Sequence, residues 1–444
     1  MSKPVLGAVA LYTVMLLTSC QEPKQVIVEE IYYPRDSHEA YSFSMAQLGM
    51  DDTQLYKSWI EAHERAMDTP VPIKTPFQET FYFDDIAMDA YGYQFSIDRG
   101  QRTTISLTQM KGDSGLVFLD LFQMTEDTIN PYNHIASSDT LKNQIIIELK
   151  ESAKFLLRVQ PELLRTGVYN LKILVEPSLA FPVSGRGERA IGSLFGVERD
   201  AGKRVHEGID VFAKRHTPIV SVSDGQVTFA GVKEGSLGGN VIWARDTLRD
   251  LSIYYAHLED VFVDEGVYVE RGDTIGSVGN SGNAVTTYPH LHFGIYSQGA
   301  VDPFPYVVET RSGPSSILAD SSWLNQVVRV NSPGGTNRNL YSRRLNQYMS
   351  HDEYARVIGV TSTFYKVKKA TGKLTYVFYD HIKSLDRSIG KIKLKEETSF
   401  YTNPSRDIAS FQQLPQGMTV KVLAKTQELS YCETPDGNKG WLKI

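Results

Sequence analysis

The chain has 444 residues, too many for one ordinary core and enough for about three or four units of ~100–150 residues each. Its 41% hydrophobic and 22% charged content is that of a soluble globular protein. The net charge of −6 offers no basic face, which excludes an electrostatic case for nucleic acid as a partner. The two cysteines, Cys20 and Cys432, are too few for a disulfide framework or a cysteine zinc site, so any metal must be held by His, Asp or Glu. Tyr (24) and Phe (19) are plentiful, and apolar and polar residues alternate along much of the chain. That favours a mostly β protein.

In chain order, Lys3 gives a positive start and residues 5–17 are apolar. This run is too short for a transmembrane span of ~20 residues but fits a signal-peptide core over residues 1–19. Leu17-Thr18-Ser19-Cys20 resembles the lipobox of bacterial lipoproteins. The resemblance implies cleavage before Cys20, lipidation of Cys20 and a membrane anchor there. Gln21 stands where an inner-membrane retention signal has Asp, which favours the outer membrane, facing the periplasm. Residues 20–76 read as a tether and a short helix. The tether covers 21–50, and Asp51-Asp52-Thr53 is a helix start. Leu55, Tyr56, Trp59, Ile60, His63 and Met67 follow at helical spacings before Pro70 and Pro72. His63 is expected to pack rather than ligate.

Residues 77–178 carry short alternating runs such as Tyr93 to Ile97, Leu116 to Leu121, Lys154 to Gln160 and Tyr169 to Val175. Their spacing predicts an N-terminal β-sandwich. Gly167 to Ile173 resembles the closing strand of small jelly-roll modules that accompany bacterial secreted peptidases. His134, in Asn-Pro-Tyr-Asn-His, is expected in an exposed turn. Residues 179–312 form a central unit that carries the candidate chemistry. Residues 313–320 read as a linker, and 313–387 and 388–444 as two weak repeats of about five strands with a late hairpin. The repeats resemble bacterial Src-homology-3-type barrels, so small β-barrels are expected at the C-terminus. Cys432 is expected to be a buried structural thiol.

Candidate chemistry is concentrated in the central domain, in Val205-His-Glu-Gly-Ile-Asp-Val211, Tyr254-Tyr-Ala-His-Leu258 and Pro289-His-Leu-His-Phe-Gly-Ile295. His206 and Asp210 are four apart, and His290 and His292 two apart. On strands both pairs share a face, while Ile209, Val211, Leu291 and Phe293 point to a core. Imidazole and carboxylate suit zinc, which in catalytic sites takes three protein ligands and keeps a position for water. One histidine should serve as a base for that water; spacing alone does not say which.

His-x-Gly-x-Asp, Tyr-x-His-Leu and His-Leu-His-Phe in this order resemble the lysostaphin/LytM-type zinc metallopeptidases. The resemblance spans roughly 190–306 and includes Ser193-Leu-Phe-Gly196, Val278-Gly-Asn-Ser-Gly282 and Val301-Asp-Pro303. It implies Zn²⁺ on His206, Asp210 and His292, with His257 and His290 as the pair that activates water and stabilises the tetrahedral intermediate. It also implies a small antiparallel β-sheet domain with a groove and hydrolysis of peptide bonds in peptidoglycan. A non-catalytic reading is a wall-binding scaffold or an activator of another hydrolase. Departures from the family pattern are His216 in place of Gly, Gly294 in place of Glu, and a longer Asn283–Tyr288 loop, where substrate preference is expected to be set. His216, Glu207 and Asp224 are read as loop or surface residues.

Overall fold

The computed structural model describes residues 36–84, 88–112, 115–138, 142–232, 237–309, 313–331, 349–404 and 412–443. The signal segment and Cys20 lie outside these residues. The fold is mostly β.

Two helices open the described chain. Helix α1 (Ser37–Gln47) lies where the sequence reads as tether, because its residues have no apolar stripe. It is fixed instead by its cap, with the Asp36 carboxylate accepting from the Glu39 amide at 2.8 Å, and by ring contacts. His38 stacks on Trp59 at 4.5 Å and meets Phe118 edge-on at 5.3 Å. Helix α2 (Gln54–Asp68) is capped by Thr53, as its sequence signals suggest, and buries Trp59, Ala62 and Ala66. His63 receives a hydrogen bond from Arg158 at 2.8 Å and is a packing residue.

Beyond the helices, a five-stranded sheet and part of a nine-stranded sheet face each other. Phe81, Phe83, Leu171 and Ile173 from one and Tyr93, Phe95, Leu119 and Leu157 from the other meet in one core. In Val117–Met124 residues 117–122 are all buried, because one face meets that core and the other is covered by the helices. Asp120 is buried on the helix side and neutralised by Arg158 at 2.7 Å. His134 is not in a turn: it sits in the strand Tyr132–Ser137, half-buried against Phe122.

The nine-stranded sheet continues into the C-terminal region. Tyr354–Val360 pairs with Phe77–Phe83 through Thr80↔Val360 and Phe81↔Gly359. Phe364–Lys369 and Leu374–Phe378 extend the sheet further. These strands keep a core of their own around Val328, Val357 and Val367, but their sheet is shared with the sandwich and is not that of a free-standing barrel. The reason is a strand edge left open at Phe77–Phe83, which local sequence cannot reveal. The junction is closed by a buried pair, Lys366–Glu79 at 2.7 Å with side chains 1% and 0% exposed. Tyr376 donates to Glu79 at 3.0 Å, and the Lys366 ammonium stands 3.9 Å above the Tyr91 ring. The last unit has a four-stranded and a two-stranded sheet around Phe400, Val420 and Cys432. Cys432 is fully buried, and burial pushes its thiol up to about 12.

The central residues form a ten-stranded antiparallel sheet. Its middle runs Ile209–Phe212, His290–Tyr296, Leu251–Val261, Asn240–Asp246 and Gly225–Val232. One face buries Ile209, Val211, Ile253, Leu291 and Phe293. The other face is open and carries the residues described below. This domain touches the sandwich through Arg249, whose guanidinium donates to both Glu148 carboxylate oxygens at 2.7 and 3.2 Å.

Removing one member of a buried pair leaves the other charge unpaired, which costs roughly 3–5 kcal/mol. Lys366→Met is therefore expected to lower the unfolding free energy of the sandwich and its attached C-terminal strands by about that amount. Urea unfolding followed by circular dichroism checks this; an unchanged midpoint would remove the pair from the account of the junction.

Candidate metal and catalytic site

Register builds the site. The antiparallel pair Ile209–Phe212 and His290–Tyr296 sets Asp210 opposite His292 and Phe212 opposite His290. With Ile209, Val211, Leu291 and Phe293 all 0% exposed, alternation turns Asp210, His290 and His292 to the open face. His206 precedes the strand. A small hairpin, Glu198–Arg199 with Arg204–Val205, carries it in. Its backbone is tied on both sides by Gly196 N–H to His206 O and His206 N–H to Val197 O, each 2.8 Å.

Three donor atoms converge. His206 Nε2 is 3.0 Å from Asp210 Oδ1 and 2.9 Å from His292 Nδ1, and the latter is 3.1 Å from the same Asp210 oxygen. His206 Nδ1–H donates to the Leu194 carbonyl at 2.8 Å, which leaves Nε2 as the lone-pair atom of the neutral ring. Burial alone would raise the Asp210 carboxyl; hydrogen bonds and charge from His206 and His292 outweigh it and hold it well below the usual carboxylate range. The second oxygen, Oδ2, accepts from Arg199 at 2.7 Å, and Arg199 is itself held by Ser193 Oγ at 2.8 Å.

His257 reaches the same face by a different route. It lies in Leu251–Val261, where the register with Asn240–Asp246 shifts between Ile242↔Tyr255 and Asn240↔Leu258. Three steps on one strand oppose two on the other, which is a β-bulge. Tyr255 faces the core, so strict alternation gives the groove to Tyr254 and Ala256 and the core to residue 257. The bulge, with His257 at φ +66°, turns its side chain back to the groove. His257 Nδ1–H donates to the Ser281 carbonyl at 2.9 Å and His290 Nδ1–H to the Tyr288 carbonyl at 2.8 Å. In each neutral ring Nε2 is then the free acceptor. The two rings are 5.1 Å apart, and His257 is 6.0 Å from His292. Burial first, then the neighbouring His290, lowers the His257 imidazole to about 4.

All five residues line one open cavity of about 740 Å³. Asn283, Ala284 and Thr287 of the loop before His290 also line it, so that loop does border the groove. His216 is away from it, in an exposed loop beside Asp260 at 3.1 Å. Glu207 is exposed at the rim, and Asp224 accepts from the Arg271 amide. Sequence reasoning missed Arg199. No spacing marks it, because it reaches Asp210 across a hairpin.

The donor set is two imidazole nitrogens and a carboxylate oxygen. Their mutual separations of 2.9–3.1 Å are near the ~3.3 Å edge of a tetrahedron with bonds of about 2.0 Å, the geometry of zinc, and three ligands leave a fourth position open. The residues present fit such an ion. Among the described residues a second group, Asp36, Asp120 and His134, is also close together. There the Arg158 guanidinium already occupies Asp120.

Residues 204–303, which hold this sheet and donor set, match the Peptidase family M23 model. It is 36% identical over 141 residues to the L-Ala--D-Glu endopeptidase of Bacillus subtilis, covering 29% of this chain and 42% of that one. Over 90 residues it is 40% identical to the DD-carboxypeptidase/endopeptidase Mpg of Neisseria meningitidis serogroup B, covering 20% of each. Over 108 residues it is 33% identical to lysostaphin of Staphylococcus staphylolyticus, covering 23% of this chain and 22% of that one. The chain thus spans less than half the length of these relatives. Peptidases of family M23 are typically zinc-dependent.

A side chain at Gly208 would fall on the Phe293 carbonyl and within 2.9 Å of the His292 ring. Backbone in a paired strand cannot yield cheaply, and overpacking of this kind costs about 1–3 kcal/mol. Gly208→Ala is expected to lower the melting temperature and displace His292; thermal unfolding and metal content together read both effects.

Proposed function

We propose that the protein is a zinc-dependent peptidoglycan endopeptidase that hydrolyses peptide cross-links or stem peptides of the bacterial cell wall. The observation that carries this reading is the convergence of His206 Nε2, Asp210 Oδ1 and His292 Nδ1 within 3.1 Å, beside two further histidines whose free nitrogens belong to the same groove. The M23 match and the kinship to an L-Ala--D-Glu endopeptidase and a DD-carboxypeptidase/endopeptidase support it. The lipobox-like Leu17 to Cys20 supports a lipid anchor at Cys20 and a place in the cell envelope, facing the periplasm from the outer membrane. The C-terminal β-units, read as Src-homology-3-type modules, fit a wall-bound enzyme.

In this reading His206, Asp210 and His292 hold the ion. The chemistry it supplies when bound is Lewis acidity toward the scissile carbonyl and a lowered pKa for water. Arg199 holds Asp210 Oδ2 so that Oδ1 stays aimed at the other two donors. His257 and His290, each fixed at Nδ1 by a carbonyl, take or give a proton at Nε2. His257 is neutral at pH 7, being lowered to about 4, and is suited to accept the proton of the attacking water. Once its Nε2 has taken up a proton, His290 can give it to the carbonyl oxygen or the leaving amine. The open groove admits an extended peptide across the sheet.

Purified full-length protein with zinc is expected to cleave the peptides of cross-linked muropeptide dimers, read by mass spectrometry of the products. His292→Ala should bind no stoichiometric zinc and have no activity. His257→Ala should keep zinc and lose on the order of 10²–10⁴ in kcat. An active His292→Ala protein would overturn the assignment, and a wild type that neither binds zinc nor cuts would favour the scaffold reading. Partners that orient a metal ligand typically contribute 10–100-fold in affinity. Arg199→Ala is therefore expected to weaken zinc binding by about that factor, read by competition with a chromophoric chelator.

A further inference from the structure

The open face of the central sheet is not uniformly polar. Trp243, Tyr254 and Tyr296, all half-buried, form a contiguous aromatic strip that starts at the donor set. The Tyr254 ring is 5.9 Å from the His292 ring and 4.4 Å from Trp243, and Trp243 is 5.2 Å from Tyr296. The register explains the strip: Trp243 pairs with Tyr254, and Tyr254 pairs with Gly294. Gly294 is one of the three departures from the family pattern noted in the sequence. A Cβ there would come within 3.1 Å of the Tyr296 ring and 3.3 Å of the Glu207 carbonyl. The absent side chain therefore lets the Tyr296 ring lie down over the strand at Gly294, next to the Glu207 backbone.

Three half-exposed aromatic side chains on the open face of an antiparallel sheet forfeit the polar positions expected there, which points to a ligand that covers them. The strip's edges are polar. The Tyr296 hydroxyl meets the Glu207 carboxylate only loosely, at 3.4 Å, and Glu207 itself is exposed. An aliphatic side chain would use the ring faces but not these edges. A pyranose uses both, laying C–H groups on the electron-rich faces and hydroxyls against phenols and the Glu207 carboxylate.

We propose that Trp243, Tyr254 and Tyr296 form a saccharide subsite that seats a sugar ring of the glycan to which the substrate peptide is attached. The proposal rests on the peptidoglycan reading above and narrows it. An extended peptide advances ~3.5 Å per residue, and the strip begins 5.9 Å from His292 with Trp243 a further 4.4 Å on. A sugar on the strip thus places the scissile bond about two to three residues from the glycan, in the sugar-proximal part of the stem peptide.

The test gives the zinc-loaded full chain two substrates: muropeptide dimers with their N-acetylglucosaminyl–N-acetylmuramyl units, and the same cross-linked peptides freed of saccharide. The expected result is a kcat/KM about tenfold higher for the saccharide-bearing form, of the size one or two aromatic contacts supply. Trp243→Ala should bring the ratio close to one, and Trp243→Phe, which keeps a ring face, should retain most of it. Melting temperature and zinc content establish that both variants are folded and loaded. Equal kcat/KM for the two substrates, unchanged in Trp243→Ala, overturns the subsite. If wild type cuts neither, the peptidase reading falls, and the subsite is then decided by calorimetric titration of chelator-treated protein with the same two compounds. Tighter binding of the saccharide form that is lost in Trp243→Ala supports it, and equal or weaker binding overturns it.

Discussion

The facing of Asp210 and His292 across two antiparallel strands is the constraint on which the site depends. These residues are 82 apart in the chain, yet the register Ile209↔Phe293 and Val211↔Leu291 leaves them one arrangement. A slip of one residue would send Asp210 and His292 into the core and expose four fully buried apolar side chains. Burial of Ile209, Val211, Leu291 and Phe293 therefore holds the donor atoms in place, at about 1.5–3 kcal/mol for each such side chain. The hairpin that brings His206 and Arg199 in adds the third donor and the guanidinium that steadies the carboxylate.

The second constraint is local. Alternation that orders Asp210, His290 and His292 would turn His257 away. The bulge at His257 spends one residue out of register and a left-handed backbone to recover it, with the carbonyl of Ser281 fixing the ring. Bulges recur beside functional sites because they re-aim one side chain without disturbing the rest of the sheet. The same sheet carries the aromatic strip, so donor set and strip are rigidly related.

The accessory regions are joined more closely than a string of modules. The sandwich and the first C-terminal unit share a nine-stranded sheet, and the Lys366–Glu79 pair is buried between them. A buried ion pair is a poor source of net stability, but it penalises alternative pairings in which either charge is left alone. The Phe77–Phe83 edge, which would otherwise be open to association, is covered within the same chain. The central domain is held to this body by the Arg249–Glu148 fork.

Much of this was legible in the sequence. Alternating apolar residues gave many of the strand positions, Thr53 and the flanking prolines gave α2, and the even offset of His290 and His292 put them on one face, whereas His206 stands outside the strand and meets Asp210 through the hairpin. Helix α1 was not legible, because a cap and ring stacking hold it rather than an apolar stripe. His134 was misread because a proline and two asparagines nearby suggest a turn, while the strand depends on pairing with a distant partner. What the sequence by itself determined is the fold class, the residue types of the donor set and their faces, since these follow from the period-two geometry of each strand. Only the tertiary structure decided that His257 turns toward the groove, that Arg199 grips Asp210, that the sandwich and the C-terminal strands share one sheet and that Trp243, Tyr254 and Tyr296 cluster on the open face. Each of those depends on which strands pair and in what register, and that is set by burial summed over the whole chain rather than by any local stretch.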